Sequence, residues 1–541
     1  MPTPAEQLKA EGNALFGQQD FALAALKFTE AIELDEANAV LYSNRAACRL
    51  QMRDTMALGT PADACTQAVD LDPMYAKAWS RLATAEDCLR HPLRSVPAWR
   101  RALDSLPKTD LSPAEQQQKA DWARRLRAAE AALANPADVL AHGAHVSRGE
   151  QPWAVAARLG REYARAGQAG PQGGMSCVWL VNEAREEFQR ALDGLNAQQQ
   201  VRDPRSGQAM LGTQGGIVEA LTNAIIADKR VIEVDAQWLQ RSDMQVQWEL
   251  NMSGGWRGAG ADQLMREFPG RVSRDGWLRA RIALVTTVRV WILRAFLEAG
   301  LRGEHKNARA LVSSALQVLT WARDTYKSVP ASDKGAVFEP SFILGVRAYL
   351  LELLMSEYQG TKDQETLEEY YEEAQETSKE VESLPPPSDP VPSPAHRLQL
   401  YVYPKAAAAA ALGFYHATLA NMRETSHDDA AEHLNKSSAH YLDAATALPA
   451  DDEAHPFHVA TALQHMRPFP VPVSATLSIL AIATRSIPRA EPIWRASALW
   501  RGGAGQRFAK LLEIERELKE GLTAGKWTPD TSVRDTGVQV P

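Results

Sequence analysis

Cysteine is scarce in this chain: four residues in 541, Cys48, Cys65, Cys88 and Cys177, with no CxxC pair among them. That scarcity excludes a disulfide-stapled scaffold and the usual zinc spacings, and it suits a reducing compartment in which thiols serve as small buried apolar groups. A long uncharged apolar run is missing too. The most apolar helical stretch, RIALVTTVRVWILRAFLEAG (281–300), carries Arg289 and Arg294 in mid-span, which argues against membrane insertion. The opening residues, MPTPAEQLKAEGN, lack the apolar core of a signal peptide. Basic excess is also absent. With 59 Lys and Arg against 67 Asp and Glu, the formal net charge is −8, so no general attraction to nucleic acid or anionic lipid is expected. The expectation is a soluble, cytoplasmic protein, with the nucleus also open to it.

Catalytic signatures are missing as well. AGPQGGMS (169–176) is glycine-rich but has neither the lysine nor the spacing of a phosphate-binding loop. HGAH (His142, His145) and HPFH (His455, His458) place histidines three apart, without carboxylate or cysteine ligands close by, and read as ordinary loop residues. No catalytic residue, cofactor or metal is expected, and the chain reads as a non-enzyme.

What is present is a repeat. Residues 5–107 divide into three helix–turn–helix units: AEQLKAEGNALFGQQDFALAALKFTEAIELDEAN, then a unit from AVLYSNRAACRL to ACTQAVDLDP, then one from AKAWSRLATAEDC to Pro107. Small residues let paired helices approach, aromatics fill the space between them, and a proline ends the second helix. The middle unit is longer, with the excess in RDTMALGTP between its helices, where insertion costs least. A long helix over SPAEQQQKADWARRLRAAEAAL (112–133) follows and is expected to cap the array. The pattern resembles the tetratricopeptide repeat, a 34-residue unit.

Within the repeats, Lys77 and Arg81 stand one helical turn apart, a spacing at which like charges repel. Lys9 and Asn13 share the same spacing on the first helix of the first unit, and Asn44 lies on the first helix of the second. In stacked repeats the first helices line one concave groove. The residues LKAEGN, LYSNRAA and KAWSR therefore resemble the carboxylate-clamp subset of tetratricopeptide domains found in co-chaperones such as the heat-shock organising protein. The resemblance implies that Lys9, Asn13, Asn44, Lys77 and Arg81 hold the carboxylates of an EEVD tail, the C-terminus of cytosolic heat-shock chaperones of the seventy- and ninety-kilodalton classes. The chemistry agrees: a chain-terminal carboxylate accepts only, and these five side chains offer charged and amide donors. Residues 1–107 hold 11 Lys or Arg against 14 Asp or Glu, so cations gathered in the groove are not spillover from a basic surface. Trp79, between the two cations, reads as packing.

The remaining residues read as an all-α, α-solenoid-like region of helical hairpins. The expected layout is a repeat domain over 1–107, a capping helix over 108–135 and a mostly helical region over 136–274. Helical hairpins follow over 275–383, then a proline-rich loop over 384–396, a C-terminal helical region over 397–525 and a flexible tail over 526–541. QVQWELNM (245–252) alternates like a strand and is ambiguous, the acidic run TLEEYYEEAQETSKEVE reads as a solvated helix, and Trp527 is a candidate docking anchor. The function expected is an adaptor or co-chaperone that docks an EEVD tail, its larger helical region carrying a client. A chaperone-independent scaffold for another acidic peptide, and an enzyme hidden in 136–541, are the rival readings. Neither nucleic acid nor membrane is an expected partner.

Overall fold

The computed structural model describes residues 3–52, 65, 67–69, 71–88, 92–106, 112–134, 149–168, 175–202, 209–234, 236–386, 393–422 and 425–539. HGAH and RDTMALGTP lie outside them. The chain divides into two compact units: Met1–His142 with Glu233–Ala236 and Gly300–Gly303, and the rest of Gly143–Pro541. The fold class is all-α, and no helix among the described residues is long and apolar enough to cross a membrane.

The first unit contains α1 (Pro4–Gly17), α2 (Phe21–Leu34), α3 (Ala39–Met52), α4 (Ala76–Cys88), α5 (Pro92–Asp104) and α6 (Pro113–Ala134). Thr3 and Glu6 form a reciprocal capping box at the start of α1, and Ser112 and Glu115 do the same for α6. Consecutive helices pack, and their contacts are built from alanine and aromatic pairs. Ala24, Phe28, Ala31 and Leu41 form one buried cluster. Ala46, Cys65, Ala68, Ala78, Ala83, Trp99 and Ala102 belong to a second, which Trp122 of α6 joins. The buried Trp99 indole donates to Asp87 at 2.8 Å, which meets its polar requirement inside an apolar cluster.

The second unit runs through α7 (Pro152–Arg165), α8 (Val178–Asn196), β1 (Gln199–Arg202), β2 (Ala209–Gly212), α9 (Ile217–Asp228), α10 (Ala236–Ser253) and α11 (Ala261–Leu297). It continues with α12 (His305–Thr325), α13 (Pro340–Thr361), α14 (Gln364–Glu382), α15 (Tyr403–Ala420), α16 (His427–Ala447), α17 (Ala454–Met466), α18 (Val473–Trp494) and α19 (Gly505–Thr523). α11 is broken at Gly276, whose φ of 77° lies outside the range of a helical L-residue. Sequence neighbours pack in series from α11 to α19, and α18 also returns against α7. Arg289, the charge inside the most apolar helix, is buried and donates to Thr222 Oγ1 at 2.6 Å and Asn223 Oδ1 at 2.8 Å, tying α11 to α9. Burial lowers its pKa to about 10, still well inside the charged range at neutral pH.

Four sequence expectations are corrected here and one ambiguity is resolved. QVQWELNM is helical, within α10. The residues buried on this helix, Trp238, Ser242, Gln245, Val246, Glu249 and Leu250, follow the helical period. Its apparent alternation arose because Gln245 and Glu249 are polar yet inward: Glu249 Oε1 accepts the backbone N–H of Ile217 and Val218 at 2.9 and 3.0 Å, capping α9 where Gly216 offers no side chain. The two strands, paired antiparallel with Gln199 opposite Gly212, were not anticipated. The acidic helix α14 is half embedded. Arg347 binds Glu373 at 2.6 Å and Glu380 at 2.9 Å, and Arg309 binds Glu369 at 2.6 Å, so arginines of α12 and α13 clamp its inner face. HPFH is not a loop: His455 and His458 sit on α17, and neither Nδ1 has a hydrogen-bond partner among the described residues. Residues 526–539, expected as a flexible tail, fold back on the unit. Trp527 packs on Gly521 and donates to Leu518 O at 3.2 Å.

A buried ionic cluster joins distant parts of the second unit. The Arg230 guanidinium reaches Asp228 Oδ2 at 2.7 Å, Asp452 Oδ2 at 2.9 Å and Glu453 Oε1 at 3.3 Å, and it lies 3.8 Å from the Trp494 ring centroid. Beside it, Asp451 accepts from Ser176 Oγ at 2.5 Å and Cys177 N at 2.9 Å. Burial works against the Asp452 carboxylate, yet the Arg230 charge and its hydrogen bonds hold its pKa below the usual value. Burial raises Glu453 to about 7 against the opposing pull of the same arginine.

Candidate peptide-carboxylate site

The capping box fixes where α1 begins, and Lys9 and Asn13 follow on one of its faces. Gly12 lets that helix sit close to α2: a Cβ there would lie 2.9 Å from Phe28 Cε1 and Cζ, and Phe28 is fully buried. Gly12→Ala is therefore expected to destabilise the first unit by about 1–3 kcal/mol, seen as a lower urea midpoint, because the ring has nowhere to move.

Asn44 on α3 donates through Nδ2 to Asn13 Oδ1 at 3.2 Å. Arg81 on α4 donates through Nη1 to Asn44 Oδ1 at 3.1 Å and to Ser43 Oγ at 2.6 Å. Three of the five expected residues thus form one chain across the first helices of the three repeats. Lys9 stands one turn before Asn13 and Lys77 one turn before Arg81, and among the described residues neither lysine has a side-chain hydrogen bond or ion pair.

The direction of these bonds sets the chemistry of the surface. Both amide oxygens of the chain, on Asn13 and Asn44, are already occupied as acceptors. What remains is the Asn13 amide N–H pair, the second Asn44 N–H, the further Arg81 N–H groups and two ammonium groups. The array is rich in donors, and its natural complement is an acceptor-only anion.

Ser43 was missed by sequence reasoning. It is fully buried and holds Arg81 from behind, a role that its position beside Asn44 in LYSNRAA did not announce. Arg45 lies one residue beyond Asn44. Burial, and then the nearby Arg49 charge, lower its pKa. Behind the surface, burial raises the thiols of Cys48 to about 11 and Cys65 to about 12 despite the Arg81 charge, so both stay protonated and unreactive at neutral pH. Trp79 packs against the core and donates to Pro73 O at 2.8 Å, as its spacing implied.

Comparison with known proteins now bears on this arrangement. The chain is 34% identical over 100 residues to the small glutamine-rich tetratricopeptide repeat-containing protein 2 of Saccharomyces cerevisiae, covering 18% of this chain and 28% of that protein. It is 41% identical over 111 residues to the heat shock protein sti1 homolog of Schizosaccharomyces pombe, covering 20% of this chain and 18% of that one. The first unit is a tetratricopeptide-repeat domain. The repeat domain has a further relative in the Hsp70-Hsp90 organizing protein of Triticum aestivum, 39% identical over 107 residues, which are 20% of this chain and 18% of that protein. Each match spans less than a third of the relative's length, and the second unit is unrecognised. Among solved structures, the first TPR of Spaghetti (RPAP3) bound to the HSP90 peptide SRMEEVD is 27% identical, covering 24% of this chain and 93% of that one, with a TM-score of 0.21. No protein-family description matches the chain.

Elsewhere, among the described residues no group of three or more His, Cys, Asp or Glu is arranged to hold a metal ion.

Proposed function

We propose that the chain is an adaptor or co-chaperone whose repeat domain docks the free C-terminal EEVD tail of a cytosolic heat-shock chaperone of the seventy- or ninety-kilodalton class. Residues 1–107, capped by the helix within 108–135, are the docking module. The second unit carries a client or places the chaperone beside another complex, and the protein acts by binding rather than by catalysis. The observation that supports this most is the donor array of Asn13, Asn44 and Arg81, continuous across three repeats and flanked by two lysines that have no side-chain partner among the described residues. In the bound state Lys9, Asn13 and Asn44 grip one carboxylate and the adjoining backbone, and Lys77 and Arg81 bind another. The names of the relatives, a heat shock protein homolog and an Hsp70-Hsp90 organizing protein, agree with that partner.

Calorimetric titration of the full chain with a peptide ending MEEVD tests the proposal. Binding is expected near micromolar, about −8 kcal/mol, weakening as salt is raised. It is expected to vanish with the C-terminally amidated peptide and with the Lys77→Ala, Arg81→Ala double variant. Equal binding of the free and amidated peptides would leave an acidic-peptide scaffold without a chaperone link; no binding of either would overturn the assignment.

A further inference from the structure

Past α19 the chain turns at Gly525 and runs antiparallel to residues 471–473, with Val473 N donating to Thr531 O and Val533 N to Val471 O, both at 2.9 Å. This return roofs a cleft of about 370 Å³ between the end of α17, the start of α18 and Val533–Gln539. Part of its wall is apolar, from Leu463, Met466, Phe469, Val471, Val533 and Val538, and Thr476 and Gln539 add polar groups. The volume falls at the lower end of the range for small-molecule pockets, about 300–1,000 Å³.

Two arginines, Arg467 and Arg534, line the same cleft, and Arg534 Nε donates to the Arg467 carbonyl at 2.9 Å. That bond keeps the two residues adjacent. Among the described residues neither guanidinium is paired with a carboxylate. Two arginines lining one partly apolar cleft, with no carboxylate partner among the described residues, suit a ligand with an anionic end and a hydrocarbon body, because carboxylate binds guanidinium bidentately and the body displaces water from the apolar walls.

We infer that this cleft binds a small amphipathic carboxylate, a medium-length acyl chain whose head lies on Arg467 and Arg534 and whose tail fills the space beneath the returning segment. The site is independent of the peptide groove in the repeat domain.

The test uses the full chain and a homologous series of probes: butyrate, octanoate, decanoate and decanol, titrated up to about 1 mM. Decanoate is expected to bind once per chain, about tenfold or more tighter than decanol, which lacks the charge. Each methylene that enters the cleft is expected to tighten binding about fourfold, so decanoate exceeds octanoate by about fifteenfold and butyrate does not bind measurably. The Arg467→Gln, Arg534→Gln double variant is expected to lose the advantage of decanoate over decanol. Val538→Trp, which fills the cleft from the returning segment and leaves both arginines in place, is expected to weaken both ligands, with a thermal melt verifying that each variant is folded. No decanoate binding at about 1 mM, equal binding of decanol and decanoate, multiple weak sites, or binding unchanged in both variants would each overturn the inference.

Discussion

Arg230→Ala is expected to cost the second unit about 3–5 kcal/mol or more, the scale found when one partner is removed from a buried ion pair and the other is left uncompensated. Three carboxylates depend on this guanidinium. Asp228, Asp452 and Glu453 have side chains only 4%, 0% and 4% exposed, so water cannot take the place of the lost charge. The substitution also removes the cation stacked on Trp494. A urea titration followed by circular dichroism, read at the second unit's transition, measures the loss as a shift in midpoint. Arg230→Lys keeps the charge but not the planar fork that serves several oxygens at once, so it is expected to fall between the wild type and the alanine variant. A midpoint unchanged in Arg230→Ala would mean that the cluster is a bystander to stability.

The second large effect is expected on acidification. Burial lowers the pKa values of His455, His458 and His465 to about 4, against an ordinary value near 6.5. Their folded values are depressed, so they are neutral in both states above pH of about 6.5 and cost nothing there. As pH falls below that value, the unfolded chain takes up protons that the folded unit refuses, and stability is lost down to about pH 4. Glu453, raised to about 7, works in the opposite sense over the same range, because there the folded state holds the extra proton. For these four groups alone the balance at pH 5 is a net uptake of about two protons on unfolding, a slope of about 3 kcal/mol per pH unit. His416 and His440, also lowered, act in the same direction as the other three histidines. Thermal melts between pH 7 and 5 should show the second unit's transition falling steeply. A flat profile would exclude this neutral, buried histidine block as the source of acid sensitivity. His458→Phe, which keeps an aromatic ring beside Tyr441 but cannot take a proton, is expected to reduce the slope by about one proton.

The two units differ in how much of each was legible in sequence. The repeat domain follows rules with short range: a capping box, alanines at helical spacing and aromatics between them, all within a 34-residue period. The five candidate positions could be placed because the repeat itself supplies the register: Asn44 and Arg81, for instance, are each the sixth residue of their units, equivalent points on successive first helices. Ser43 escaped because a serine on a helix carries no signal until Arg81, 38 residues later, is seen to rest on it. In the second unit the informative contacts are longer still. Glu249 looked like part of an alternating strand because its task, capping α9, lies 32 residues upstream. Arg289 argued only against a membrane span. Its positive role, anchoring α11 to Thr222 and Asn223, depends on a helix 66 and 67 residues away. The acidic face of α14 was likewise indistinguishable from a solvated one until the arginines of α12 and α13 were in place.

The bond between Ser176 and Asp451 also has a bearing on how the chain is made. Its two residues are 275 apart, and it secures the beginning of α8. At about 5–20 residues per second, a ribosome needs roughly 15–55 s to travel from one to the other. For most of that interval α7 and α8 are outside the exit tunnel with α17 and α18 not yet synthesised, their apolar faces uncovered. The repeat domain needs no such wait, since its Asn13–Asn44 and Arg81–Ser43 contacts close within 31 and 38 residues. The nascent chain therefore displays a finished repeat domain while the rest of it is still in need of shelter.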